Sequence, residues 1–330
     1  MDHLNEEKSS VGALVQIFRD AFKLSLELFK IMVPVIILVK ILQEFDLIKY
    51  LAIALSPVMT VVGLPGEMGL VWATAIFNNL YGAIIVLLSL VDDTPITAAQ
   101  ATVLCSMMLV AHSLPVELRI AQASGPRLIF QAVSRMGSAM FLGWFLHIFY
   151  SYFALFQKPV TILLKPDVYA ALHNKNLYSW AVGEVRNLLS IFLVILGLLL
   201  IMRILNKLRI IDFLNRVLRP VLKVMGIGPK ASTIAVIGLT LGISYGGGLI
   251  IHEARSGHID KKDVFFSLTL MGLSHSLIED TLFMVMAGGH LSGLLYVRLI
   301  ISLLIVVFIV KVSDHLSASF CDRFLWGDPK

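Results

Sequence analysis

Ala111-His112-Ser113-Leu114-Pro115-Val116-Glu117 is answered, 275 − 112 = 163 residues further on, by Ser274-His275-Ser276-Leu277-Ile278-Glu279-Asp280. The same shift aligns Ser56-Pro57-Val58-Met59-Thr60-Val61-Val62-Gly63-Leu64-Pro65-Gly66 with Arg219-Pro220-Val221-Leu222-Lys223-Val224-Met225-Gly226-Ile227-Gly228-Pro229, and Gly125 with Gly288. Between these blocks Asn78-Asn79-Leu80-Tyr81-Gly82 meets Gly242-Ile243-Ser244-Tyr245-Gly246, one residue out of phase. Ordered self-similarity at one period marks a duplicated unit. The chain therefore reads as repeat 1 over 26–157 and repeat 2 over 186–311, with an N-terminal segment 1–25, a polar linker 158–185 and a tail 312–330.

Composition says where such a chain lives. Of 330 residues, 58% are hydrophobic and 15% charged, and the mean hydropathy is +0.86. Forty-nine charged side chains (27 + 22) cannot coat a soluble protein of this size, so lipid must be the solvent for most of the surface. No polar stretch is long enough to fold as a cytosolic catalytic domain; the longest, Lys158 to Arg186, reads as a loop. There is no P-loop and no dinucleotide fingerprint, so the chain does not drive anything by nucleotide hydrolysis of that kind. The net charge of +5 is no nucleic-acid signal, because Arg203, Lys207, Arg209, Arg216, Arg219, Lys223 and Lys230 cluster beside apolar spans, as on a cytoplasmic membrane face. Cys105 and Cys321 have no ligand-like neighbours, and no cofactor is expected. The acidic, polar start MDHLNEEKSS is unlike a cleaved signal, so the first span is expected to remain.

Each repeat reads as a span, an amphipathic stretch, an apolar segment interrupted by polar residues, a broken segment and a final span. Segments 26–46, 128–155, 186–205 and 292–311 have the length to cross a bilayer. Loop charges orient the halves. Segment 47–66 carries only Lys49 while its partner 203–230 carries the seven basic residues above; loop 91–97 has Asp92 and Asp93, while its partner has Arg255, Lys261 and Lys262. Arg119 and Arg127 reverse the sign in the third pair, since 281–293 has neither Lys nor Arg. Corresponding loops thus fall on opposite faces, which predicts an all-α polytopic membrane protein with two inverted-topology repeats and cytoplasmic N- and C-termini. Both flanks of 68–90 read as outside and both flanks of 231–252 as inside, so each is expected to be a re-entrant hairpin with its glycine-bearing tip at depth.

Ionisable groups inside spans are costly and mark function. The candidate solute- and ion-binding residues are Asn78, Asn79, Tyr81 and Gly82 on the first tip and Ser244, Tyr245, Gly246 and Gly247 on the second. On the broken helices they are His112, Ser113, Glu117, His275, Ser276, Glu279 and Asp280. On a continuous helix His275 and Glu279 would face the same way, as would Ser276 and Asp280. Pro115 removes the donor that would bond Ala111 and leaves that carbonyl to a ligand. His112, His275 and Glu279 are the candidate ligands if a metal is bound, although the spacing lacks a zinc signature. Arg298, near the start of the last span, is expected to snorkel to the outer interface.

The Ser56-Pro57 and Gly63-Leu64-Pro65 block, with its second copy at Arg219-Pro220 and Gly226-Ile227-Gly228-Pro229, resembles the nucleoside-recognition or Gate domain. That domain is found in spore maturation proteins A and B, the membrane part of ferrous iron transport protein B and relatives of the concentrative nucleoside transporters. The resemblance implies hairpins meeting broken helices, with solute contacts from both. The expected function is a secondary transporter in the inner membrane, moving a small polar or anionic solute, nucleoside-like in the family's sense, coupled to H⁺ or Na⁺. Its partners would be the bilayer, the solute and the coupling cation, with homo-oligomerisation left open and no nucleic acid. The alternatives are a non-transporting scaffold or partner subunit of the spore-maturation type, and a divalent metal ion transporter. An enzyme is not expected, because no nucleophile with an oriented base can be assigned.

Overall fold

The computed structural model describes residues 47–164 and 259–329 continuously, with scattered positions between 18 and 45 and between 178 and 255. The described residues are helical and form no strand; the extended pairings among them are two isolated bridges, Thr97 with Pro159 and Pro126 with Trp326. In chain order the helices are α1 (Ile48–Val61), α2 (Met68–Phe77), α3 (Leu80–Leu90), α4 (Ala98–Val110), α5 (Leu114–Ala123), α6 (Leu128–Tyr152), α7 (Lys261–Ser274) and α8 (Glu279–Met286). A π-helical turn, Ser292–Val297, then runs into α9 (Arg298–Asp314), and α10 (Ala318–Phe324) comes last.

The centre is α4. Thr97 and Gln100 close a capping box at its start, each side chain bonding the other's backbone N–H. Gln100 also donates to the Gly63 carbonyl at 2.9 Å, tying the helix to the turn before α2. Nearly every residue of α4 is buried, and α6 packs along it. Lipid gives apolar side chains no reason to associate, so such contacts rest on close packing. Gly143 of α6 shows how close: a Cβ there would stand 2.6 Å from Met107 Sδ.

α2 and α3 pack on each other and join at Asn78–Asn79. Glycine was expected to make this reversal, but the two asparagines make it, and Gly82 lies in the first turn of α3, where its N–H bonds Asn79 Oδ1 at 2.8 Å. What Gly82 supplies is space, since a Cβ would sit 2.8 Å from Asn78 Nδ2. At about 1.5 Å per residue each arm is roughly 15 Å long, half of a ~30 Å hydrocarbon layer.

The described loops gather at two ends. At one, Ala98 N–H bonds Lys158 O, Val160 N–H bonds Ile96 O, and Leu163 N–H bonds Met286 O, so 91–97, 156–164 and 286–290 lie together. At the other, Arg127 N–H bonds Leu325 O and Gly327 N–H bonds Gly125 O, while Lys261 pairs with Asp328 and Lys262 with Asp314, each at 2.5 Å. The residues after Asp314 are therefore docked on the chain, through α10 and residues 325–328. The described positions Tyr178, Ala181, Val182 and Gly183, inside the expected 158–185 linker, are helical.

By length and composition, two described stretches could cross a membrane, Ala98–Ala123 and Ser292–Asp314. Leu128–Tyr152 has the length but falls short on composition, because its inward face carries Gln131, Arg135 and Ser138. Its opposite face exposes Ile129, Val133, Phe141, Phe145, Ile148 and Tyr152, and α9 exposes Ile300, Leu304 and Phe308, one residue every turn.

Candidate functional site

Two interrupted helices build the site. α4 stops at Val110 and α5 resumes at Leu114, with Ser113 in the left-handed conformation (φ 48°). α7 stops at Ser274 and α8 resumes at Glu279, with Ser276 left-handed at φ 50°. A serine held there costs about 1–2 kcal/mol, so surrounding contacts must impose it. The first break is imposed by the α2–α3 tip: Ser113 N–H bonds Ala75 O and Ser113 Oγ donates to Asn78 O, both at 2.9 Å. At the second, Leu277 N–H bonds Leu239 O at 2.9 Å. Pro115 sits in the first turn of α5, where no intrahelical donor is needed, and so accompanies the break rather than making it.

The histidines lie at these breaks and touch. His112 Nδ1 donates to Met108 O at 2.9 Å and His275 Nδ1 to Met271 O at 2.8 Å, each four residues back along its own helix. A carbonyl only accepts, so both hydrogens are on Nδ1 and both Nε2 atoms are left facing each other, 3.2 Å apart. Glu117 Oε1 stands 3.2 Å from His275 Nε2 and 3.7 Å from His112 Nε2. Asp280 Oδ2 is 3.9 Å from His112 Nε2. The ligand atoms of His112, His275 and Asp280 all lie within 4.8 Å of one another.

Two arginines complete the cluster. Arg135 bonds Glu117 Oε2 through Nη1, Val110 O through Nε at 2.9 Å and His112 O through Nη2 at 3.1 Å. Carbonyls on either side of Ala111 are thus taken by arginine rather than left to a ligand. Arg298 occupies the corresponding place, 298 − 135 = 163 residues on, and is fully buried instead of reaching the interface. It turns inward because its partners are there: Nη2 donates to Thr281 Oγ1 at 3.1 Å, and the charge interacts with Asp280. Its Nε and Nη1, like Asn78 Nδ2, have no hydrogen-bond partner among the described residues.

Asp280, not Glu279, is the carboxylate of the second half beside the histidines. The chain is extended at His275 and helical only from Glu279, so the expected four-residue spacing on one helical face does not hold; Glu279 lies half-buried in the first turn of α8. Ser276 Oγ accepts the Asp280 N–H at 3.2 Å. Of the first tip, Tyr81 stacks on Phe283 of α8, ring centroids 4.5 Å apart, so the tip touches both halves. Ser244, Tyr245, Gly246 and Gly247 lie outside the described residues. Sequence reasoning missed Arg135, the sole residue of α6 with a formal charge, and the Gln131–Thr269 bond (2.9 Å) between α6 and α7. The 163-residue shift would have paired the two arginines.

No solved structure matches the chain. It is 24% identical over 291 residues, 86% of this chain and 89% of the relative, to YvoD, an uncharacterized membrane protein of Bacillus subtilis (strain 168). The family model described as nucleoside recognition, Gate, matches twice, over residues 25–126 and 188–291, with starts 188 − 25 = 163 residues apart. These two matches take in more than half of the chain and both broken helices, and the protein belongs to the Gate family.

Proposed function

We propose that the protein is a membrane-embedded transporter that moves a small polar or anionic solute past the meeting point of the two broken helices. The family description points to a nucleoside-like solute. The observation that carries the reading is the contact between His112 and His275, which joins two interrupted helices head to head beside the buried carboxylate of Glu117. Broken helices with polar groups at depth are where such carriers bind solute and coupling cation. The Asn78 amide and Arg298 guanidinium nitrogens that have no partner among the described residues are donors suited to a polar or anionic group. Glu117 and Asp280 would take the coupling cation, H⁺ or Na⁺.

The inverted arrangement is part of the proposal: 26–157 and 186–311 as oppositely oriented halves, 158–185 outside, and both termini cytoplasmic. In its support, α4 runs toward its break from the end that holds 156–164, and α7 runs toward its own from the end that holds 325–327. The α2–α3 arms, half a bilayer long, begin and end beside the start of α4, as a re-entrant hairpin would.

Proteoliposomes carrying an imposed pH or Na⁺ gradient should accumulate labelled nucleoside, and Glu117→Gln and Asp280→Asn should each reduce that uptake about tenfold or more. Unchanged uptake in both variants removes the carboxylates from the mechanism. The buried Glu117–Arg135 pair, with Arg135 also bonded to two carbonyls, suits a static scaffold as well. Cysteines placed at Asn79 and Tyr245 separate the two: labelling that responds to solute supports transport, and labelling indifferent to every solute supports the scaffold.

A further inference from the structure

The geometry points to a divalent transition-metal ion held by His112 Nε2, His275 Nε2, Glu117 and Asp280. Both imidazoles have their Nδ1 hydrogen committed to a backbone carbonyl, at 2.9 Å for His112 and 2.8 Å for His275. That is the outer contact which fixes ring and tautomer in metal-ligating histidines. Two lone pairs aimed at one another across 3.2 Å repel unless an electropositive centre lies between them.

Their separation suits a metal ion better than a shared proton. With metal–nitrogen bonds of about 2.0–2.1 Å, adjacent ligands of a tetrahedron stand about 3.3 Å apart. His112 to His275 is 3.2 Å, His275 to Glu117 is 3.2 Å and His112 to Glu117 is 3.7 Å, three edges near that value. Asp280 Oδ2 approaches from the other half at 3.9 Å. A hydrogen bond joins one donor to one acceptor, whereas Glu117 Oε1 and Asp280 Oδ2 also approach His112 Nε2, at 3.7 Å and 3.9 Å. Glu117 presents Oε1 to the histidines while Arg135 binds Oε2, the supported carboxylate of a metal site. Two imidazoles with two carboxylates suit Zn²⁺, Fe²⁺ or Mn²⁺.

Metal binding shares residues with the transport reading but is measured without transport, so either can fail alone. Tag-free full-length protein in detergent, stripped with chelator and dialysed against Zn²⁺, should retain one equivalent per chain by elemental analysis. Co²⁺ in its place should give the visible d–d bands of a tetrahedral site. His112→Ala and His275→Ala should each weaken Zn²⁺ in competition with a chromophoric chelator by on the order of 100-fold or more, with His315→Ala unchanged. His275→Cys, which keeps a ligand and guards against misfolding of the alanine variants, should bind Co²⁺ with a new thiolate charge-transfer band. A wild-type chain that retains no metal, because the pair holds only a proton, overturns the proposal. Co²⁺ binding to His275→Cys without that band overturns it as well, by placing the metal elsewhere.

Discussion

Arg135 and Glu117 are both buried, and the arginine also holds two carbonyls at the first break. Removing one member of a buried ion pair leaves the other uncompensated, at a cost of about 3–5 kcal/mol, while replacing both can be nearly neutral. Arg135→Met alone should therefore lower the thermal midpoint sharply, and Glu117→Gln combined with Arg135→Met should recover much of the loss. A double variant as unstable as the sum of the singles would show that the two side chains act independently. The histidines, their serines and Glu117 were legible because each polar residue recurs in an apolar chain at one spacing. Arg135 escaped because charges were read in loops, where they orient spans, and not on the inward face of α6, where a lone arginine must have a partner.

At the level of elements, the breaks are held from outside. Ser113 is fastened to Ala75 and Asn78 of the α2–α3 tip, and Pro115 has no hydrogen bond to forgo in the first turn of α5. Pro115→Ala should accordingly change stability by less than about 1 kcal/mol and leave nucleoside uptake intact, whereas Ser113→Val should lose both the left-handed turn and the bond to Asn78 and be clearly destabilised in the same melt. Equal effects of the two would return the break to the proline. The first interruption could be read from Pro115 and the second from its alignment with the first. Their boundaries and side-chain facing could not, because a helix that stops at Ser274 and resumes at Glu279 breaks the 3.6-residue register on which the pairing of His275 with Glu279 depended.

Across the whole molecule, the C-terminal residues close one end. α10 and residues 325–328 lie on the turn before α6 through backbone bonds to Gly125 and Arg127, and Trp326 packs on Phe265 and Phe266. Backbone pairing leaves no side-chain signature, so this docking was not visible in the sequence, although the charges had assigned both segments to one face. The Asp328 carboxyl is held below its ordinary value, chiefly by the hydrogen bond from Lys261. A depressed acid stabilises the docked tail fully above the ordinary carboxylate range and loses that contribution as pH falls through the depressed value. Proteolytic clipping after α10 should rise on acidification, and Asp328→Asn should flatten that dependence; a wild-type profile in the variant would assign the pH response to other groups.

His112 and His275 lie 163 residues apart, one in each of the two Gate matches, and they meet each other. Contact between identical surface elements is what a two-fold symmetric dimer makes, where whatever one subunit offers its partner also receives. The two sides differ in their arginines: Arg135 has all its nitrogens engaged, while two nitrogens of Arg298 have no partner among the described residues. A junction of like histidines is thus flanked by arginines in unlike states.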